Sequence, residues 1–230
     1  MRFQESFWIE AQGYVALALD GNQERCAVRS SNMGHCLWGR ILTAPQAQAV
    51  TQHLISDPLF SGYGIRTLAS DERSYNPMSY HNGSVWPHDN SLILEGFRNY
   101  SQLNALERLG SALIEVLESA PDLRLPELFC GFRKREREPP VPYEVACRPQ
   151  AWAAGTVFSL VRSLLGLSLE PDEGPLLLRS PILTPRIREL TVERLRFRQE
   201  EIDLHFTRSS NAVWVRAEKR TPGARFLQLR

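Results

Sequence analysis

Residues 79–90 read SYHNGSVWPHDN and hold almost no aliphatic side chain. Tyr80 and Trp86 offer flat apolar faces, while His81, Asn82 and Asp89 offer hydrogen-bonding groups beside them. A carbohydrate presents the complement of this set, a face of C–H groups with a rim of hydroxyls. Gly83 and Pro87 would bend the backbone so that the two kinds of group converge. The same stretch also reads as an aromatic-rich turn in which Asp89 or Ser91 caps the helix that follows.

Other chemistries fit the residues less well. His35, His81 and His88 have no His-Glu-x-x-His or His-x-x-x-His spacing that would set two ligands on one helical face, so no metal site is expected. Cys36 beside His35 is a poor nucleophile–base pair, because adjacent residues rarely point at each other. Gly-x-Ser-x-Gly elbows, Walker loops and dinucleotide fingerprints are missing from the sequence.

Glycoside hydrolysis needs two carboxyl groups flanking the scissile bond. Glu127 is the foremost candidate, in RLPELFCG, where Leu128 and Phe129 would exclude bulk water and tune its pKa. Asp89 and Glu144 are the other loop carboxylates of interest. The plainer reading of Glu127 is a loop carboxylate satisfied by Arg124.

Helices must position these loops. Thr43 before Ala-Pro-Gln is a helix start, opening a helix through about residue 55. Asp89 or Ser91 opens a second, with Leu92, Ile93, Leu94 and Phe97. A third spans about 104–119, its Leu106, Leu109, Leu113, Val116 and Leu117 spaced by three and four along one face. The fourth, about 149–165, is apolar nearly all round and should sit inside a ring or bundle. From Leu176 the period becomes two, in LLLRSP, ELTVERLRFR, EIDLHFTR and AVWVRAE, as in half-buried antiparallel strands. A helical domain over 1–170 and a small β-rich appendage over 171–230 follow, and TPGARFLQLR shows no pattern.

With 27 Lys plus Arg against 26 Asp plus Glu, the chain lacks the charge excess that would draw it to nucleic acid or an anionic membrane. The longest oily run, 151–167, contains Arg162 and falls short of the ~20 apolar residues a membrane span needs. Cys26, Cys36, Cys130 and Cys147 are too far apart for a zinc knuckle and read as reduced, semi-buried thiols of a cytoplasmic protein.

ALALDG, SNMGHCLW, FSGYGIRTL, YNPMSYHNGSVWPHDN, LPELFCGF and ACRPQAWAAG, in this order, closely resemble the C-terminal half of bacterial amylo-α-1,6-glucosidases of the glycogen-debranching type. The resemblance implies a mainly α fold, part of an (α/α)6 toroid of the six-hairpin glycosidases, followed by the β appendage. It implies an inverting hydrolase of α-linked glucan or oligosaccharide, without metal or organic cofactor. By matching position Glu127 becomes the general base, and Tyr80, His81, Asn82, Trp86 and Asp89 line the sugar pocket, with Arg66 and Trp152 in the substrate cleft. The family's segments that carry the general acid are not found in these 230 residues. The chain is therefore expected to be a truncated or partner-dependent half-domain, associating with a missing N-terminal half or with itself. The alternative is a carbohydrate-binding remnant without catalysis, or a helical module whose aromatic loops are packed turns.

Overall fold

The computed structural model describes residues 2–169, 174–210 and 212–229. Between Leu160 and Val161 the chain divides into two compact units. The boundary expected at residue 170 lies outside the described residues.

The first unit opens with α1 (Arg2–Phe7) and two short antiparallel pairs, β1 (Trp8–Ile9) with β2 (Tyr14–Val15) and β3 (Ala18–Leu19) with β4 (Arg25–Cys26). Helices α2 (Asn32–Trp38), α3 (Ala44–Leu54), α4 (Pro87–Asn99) and α5 (Leu103–Ser119) follow, and the division falls within α6 (Ala151–Leu165). Thr43 caps α3 as expected: its hydroxyl accepts from the Gln46 amide at 3.4 Å, and the Gln46 side chain accepts from the Thr43 amide at 3.0 Å. The spaced leucines of α5 are buried, Leu106, Leu109 and Leu113 completely.

Three local expectations are corrected. Residues 32–38 lie outside the four helices expected from the sequence, yet they form α2. The reason is tertiary: a Cβ on Gly34 would come within 2.5 Å of Ile93, and one on Gly96 within 2.6 Å of the Leu37 Cβ. Two glycines thus let α2 and α4 approach closely, and that packing outweighs the weak helix propensity of Asn and Gly. Helix α4, in turn, starts at Pro87 rather than behind an Asp89 or Ser91 cap. Proline at the first helical position has its φ preset and lacks the N–H that would need capping, so the Asp89 side chain is left for another partner.

Helix α6 is the third correction. Ala153 and Leu160 are buried, whereas Trp152 is 65% and Phe158 79% exposed. Among the described residues it is covered on one side only, not enclosed as its composition predicts.

The long loops between α3 and α6 pair with one another instead of lying free. Isolated antiparallel bridges link Arg66 to Val85, Val85 to Phe129 and Phe129 to Pro142. Val85 and Phe129 exchange backbone hydrogen bonds at 2.9 and 3.0 Å. Their side chains enter a core with Tyr63, Val116, Leu125 and Ala153, which fixes the loops as firmly as a sheet would.

The second unit holds two three-stranded sheets. One is β7 (Glu189–Phe197), β8 (Glu200–Arg208) and β9 (Val213–Lys219), all antiparallel as the alternation predicts. The other places β6 (Leu176–Arg179) between β5 (Leu167–Leu169) and β10 (Phe226–Leu229). There β10 pairs parallel with β6, so the appendage is not wholly antiparallel. Leu178, Ile202, Leu204 and Phe206 centre its core.

Candidate functional site

Glu127 sits two residues before the buried Phe129, on the loop segment that pairs with residue 85. Its backbone N–H donates to the Cys147 carbonyl at 3.1 Å, and the Cys147 N–H donates to its Oε2 at 3.0 Å. Oε1 accepts from the Tyr80 hydroxyl at 2.6 Å. Donation from Tyr80, then from the Cys147 amide, holds the Glu127 carboxyl below its ordinary range, against the smaller opposing effect of burial. The same bond to Glu127 pushes the Tyr80 phenol up to about 12. Glu127 is accordingly an ionised carboxylate through the neutral range, tuned by hydrogen bonds more than by apolar surroundings. Its partners are Tyr80 and Cys147, not Arg124.

Around this carboxylate the aromatic rings of the 79–90 stretch collect. Tyr80 meets the Trp86 ring edge-on at 4.8 Å between centroids, and His81 stacks on Trp86 at 5.9 Å with planes 3° apart. The Trp86 indole N–H donates to the Tyr80 carbonyl at 3.1 Å and to the Ser84 hydroxyl at 3.0 Å, which locks the turn. His88 lies edge-on to Trp86 at 5.4 Å and packs against Trp152 at 4.4 Å. Trp86 is thus walled in by other rings, and the rings open to solvent are Tyr80, His81 and Trp152. Asn82 is exposed beside them.

Asp89 is 9% exposed and reaches away from the helix start to α2, where Oδ1 meets His35 Nε2 at 2.5 Å. Arg66 does not join the cleft. It is 2% exposed, and its guanidinium donates to the Gly131 carbonyl at 2.6 Å and to the Asp57 carbonyl at 3.0 Å. It ties loops together, and burial lowers its pKa.

Sequence reasoning passed over four participants: His35 as the partner of Asp89, His88 between two indoles, Tyr143 at 5.7 Å from Tyr80, and Cys147. For His88 the signal was in plain view, one residue before Asp89. For Cys147 there was none, because its amide and thiol reach Glu127 only once the two loops meet. Its thiol is exposed, unlike the semi-buried state expected of all four cysteines. Among the described residues no group of three or more His, Cys, Asp or Glu is placed to hold a metal ion, and no helix is long and apolar enough to cross a membrane.

Comparison with known proteins adds the lineage. The family model of the mannosylglycerate hydrolase MGH1-like glycoside hydrolase domain matches residues 2–133, over half of the chain and inclusive of Glu127. No curated protein matches the chain. Among solved structures it is similar to a GH63 mannosylglycerate hydrolase from Thermus thermophilus in complex with glucose, at 19% identity and a TM-score of 0.53, over 68% of this chain and 36% of that one. It is similar to an uncharacterized conserved protein from the same organism, at 18% identity and 0.54, over 68% and 36%. The neutral trehalase Nth1 from Saccharomyces cerevisiae gives 15% identity and 0.57, over 70% and 28%. The chain spans about a third of the length of these structures. The shared fold is that of part of a six-hairpin glycosidase, the broader architecture expected from the sequence, while the debranching type is narrower than what is shared. The chain belongs to the mannosylglycerate hydrolase MGH1-like glycoside hydrolase domain family.

Proposed function

We propose that the site around Glu127 binds an α-linked glucan or oligosaccharide of the kind that debranching-type glucosidases act on, and that Glu127 is the general base of an inverting hydrolysis. The observation that carries this reading is the ionised Glu127 carboxylate, held by the Tyr80 hydroxyl at 2.6 Å beside the Tyr80–Trp86 aromatic wall. In the reaction Glu127 takes a proton from a water whose oxygen attacks the anomeric carbon. The glycosidic C–O bond breaks on the opposite face, and the leaving oxygen is protonated by a second carboxyl about 6.5–9.5 Å from the first. We assign that acid to no residue of this chain; it is to come from further sequence or from a partner chain. Tyr80, His81 and Trp152 offer ring faces to the sugar, and Asn82 and Asp89 offer partners for its hydroxyls. Arg66 acts behind the site, through the loops that it ties.

A second reading is sugar binding without turnover. It is supported by the engagement of both Glu127 oxygens, one by Tyr80 and one by the Cys147 amide, which lowers the basicity that the carboxylate can offer a water.

The test is glucose release from maltotriose, with mannosylglycerate and trehalose alongside because relatives of this fold carry those names. Glu127→Gln should lower the rate by about 10²–10⁴-fold; an unchanged rate removes Glu127 from catalysis. Wild-type chain that releases no sugar yet shows tryptophan quenching by maltotriose supports the binding reading.

A further inference from the structure

A second polar pair lies within the same unit. The close crossing of α2 and α4 at Gly34 and Gly96 brings His35 onto Asp89, Nε2 to Oδ1 at 2.5 Å. The other carboxylate oxygen, Oδ2, is buried and meets no donor among the described residues. A neighbouring buried atom, His88 Nδ1, is likewise unpartnered. Buried polar atoms of native proteins nearly always have a partner, so an orphaned acceptor on a residue only 9% exposed marks a place where a ligand donor fits.

We propose that His35 is a positioning residue: its hydrogen bond to Oδ1 fixes Asp89 so that Oδ2 accepts a hydroxyl of the bound sugar, and affinity follows the proton on His35. The proposal rests on the sugar-binding reading of the site. His35 itself need not touch the ligand.

The surroundings of His35 are simple enough for one titration to dominate. From α4 it faces Asp89 and His88; the bond to Asp89 raises its proton affinity above the ordinary imidazole value, against burial. His88 moves the other way, lowered first by burial, and feels Asp89, His35 and Glu127. Helix α3 carries one titratable side chain, His53, which is engaged by the Gln12 carbonyl and the Tyr14 ring. On α2 itself burial pushes the Cys36 thiol up to about 11. Because the His35 value is raised, the charged pair is whole below the ordinary imidazole value of 6.5 and is lost as pH rises through the raised one.

The experiment is calorimetric titration of maltotriose into the full chain at about pH 6 and about pH 9, on wild type, His35→Gln and His35→Leu. Wild-type affinity should fall about tenfold or more between the two conditions, the effect expected for losing a charge-assisted hydrogen bond. His35→Gln donates without charge and without titrating, so it should bind within about threefold of the wild type at high pH and show a flat profile. His35→Leu should bind about tenfold more weakly at both pH values. A His35→Gln chain with the wild-type pH dependence, a His35→Leu chain that binds like wild type, or a wild type with a flat profile would each overturn the role of His35 alone. A wild type that binds no maltotriose at either pH removes the sugar reading, and the proposal with it. Should His35→Leu fail to fold, His35→Gln decides.

Discussion

Tyr80 and Glu127 hold one proton between them: the phenol donates to Oε1 at 2.6 Å, its own pKa rises to about 12, and the carboxyl falls below its ordinary value. The carboxylate form therefore persists as pH falls through the ordinary carboxyl range, and the bond is lost only as pH drops through the lowered value. Tyr80→Phe removes the largest of the donors and leaves the Cys147 amide and thiol. The Glu127 carboxyl should then titrate at higher pH than in wild type, still below or near its unperturbed 4.5. Carbon-detected NMR of the glutamate side chain reads this directly, and an unmoved titration would show that Tyr80 does not set the charge.

Gly96 governs how closely α2 and α4 cross. A Cβ there would lie 2.6 Å from the Leu37 Cβ and 2.9 Å from the Trp38 backbone N, and Leu37 is wholly buried. Alanine would gain about 1 kcal/mol of helix propensity and lose about 1–3 kcal/mol to overpacking. Since backbone stands in the way, the loss should win, and Gly96→Ala should lower stability by up to about 2 kcal/mol in chemical denaturation. Gly155, whose Cβ would meet nothing within 4 Å, is the control: its alanine variant should be neutral or more stable.

How far the sequence foretold this arrangement depended on where each signal lies. The helices over 44–54 and 103–119 and the strands of 189–219 announce themselves by caps and periodicity, because those patterns are local. Helix α2 did not, since Gly34 is helical only through its fit against Ile93. Strand β10 did not either, as its four residues gain their partner from β6 some fifty positions earlier. In the site, Tyr80, Trp86 and Glu127 were legible as residue types, and their convergence needed the bridge between Val85 and Phe129. Arg66 looked like a cleft cation and is a loop tie, a difference that only the carbonyls around it reveal.

In the second unit Asp203 makes a testable acid lock. It is buried on β8, where both oxygens accept from the Arg220 guanidinium and Oδ1 also accepts from the Arg194 N–H at 2.7 Å. Arg220 first, and the Arg194 amide second, bring its pKa down to about 2. A depressed value means the stabilisation is complete above the unperturbed 3.8 and drains away as pH falls toward about 2. Asp203→Asn should melt earlier than wild type at neutral pH. The difference between the two melting temperatures should shrink between about pH 4 and pH 2, as followed by circular dichroism of the strands.

Phe158 lets the exposed side of α6 be tested apart from the sugar site. It is 79% exposed and Trp152, six residues earlier on the same helix, is 65% exposed, so the open side of α6 carries a broad apolar strip. Strips of this kind promote association, because joining two of them removes apolar area from water at about 25 cal/mol per Å². Trp152 is the wrong residue to change, since it also packs on His88 at 4.4 Å. Phe158→Lys should lower hydrophobic-dye binding and shift light scattering toward the monomer. Unfolding stability should stay within about 0.5 kcal/mol, as for a surface position that buries little in the fold. A wild-type chain that is already monomeric and binds no dye would show that this strip does not drive association, and Phe158→Lys would then change nothing.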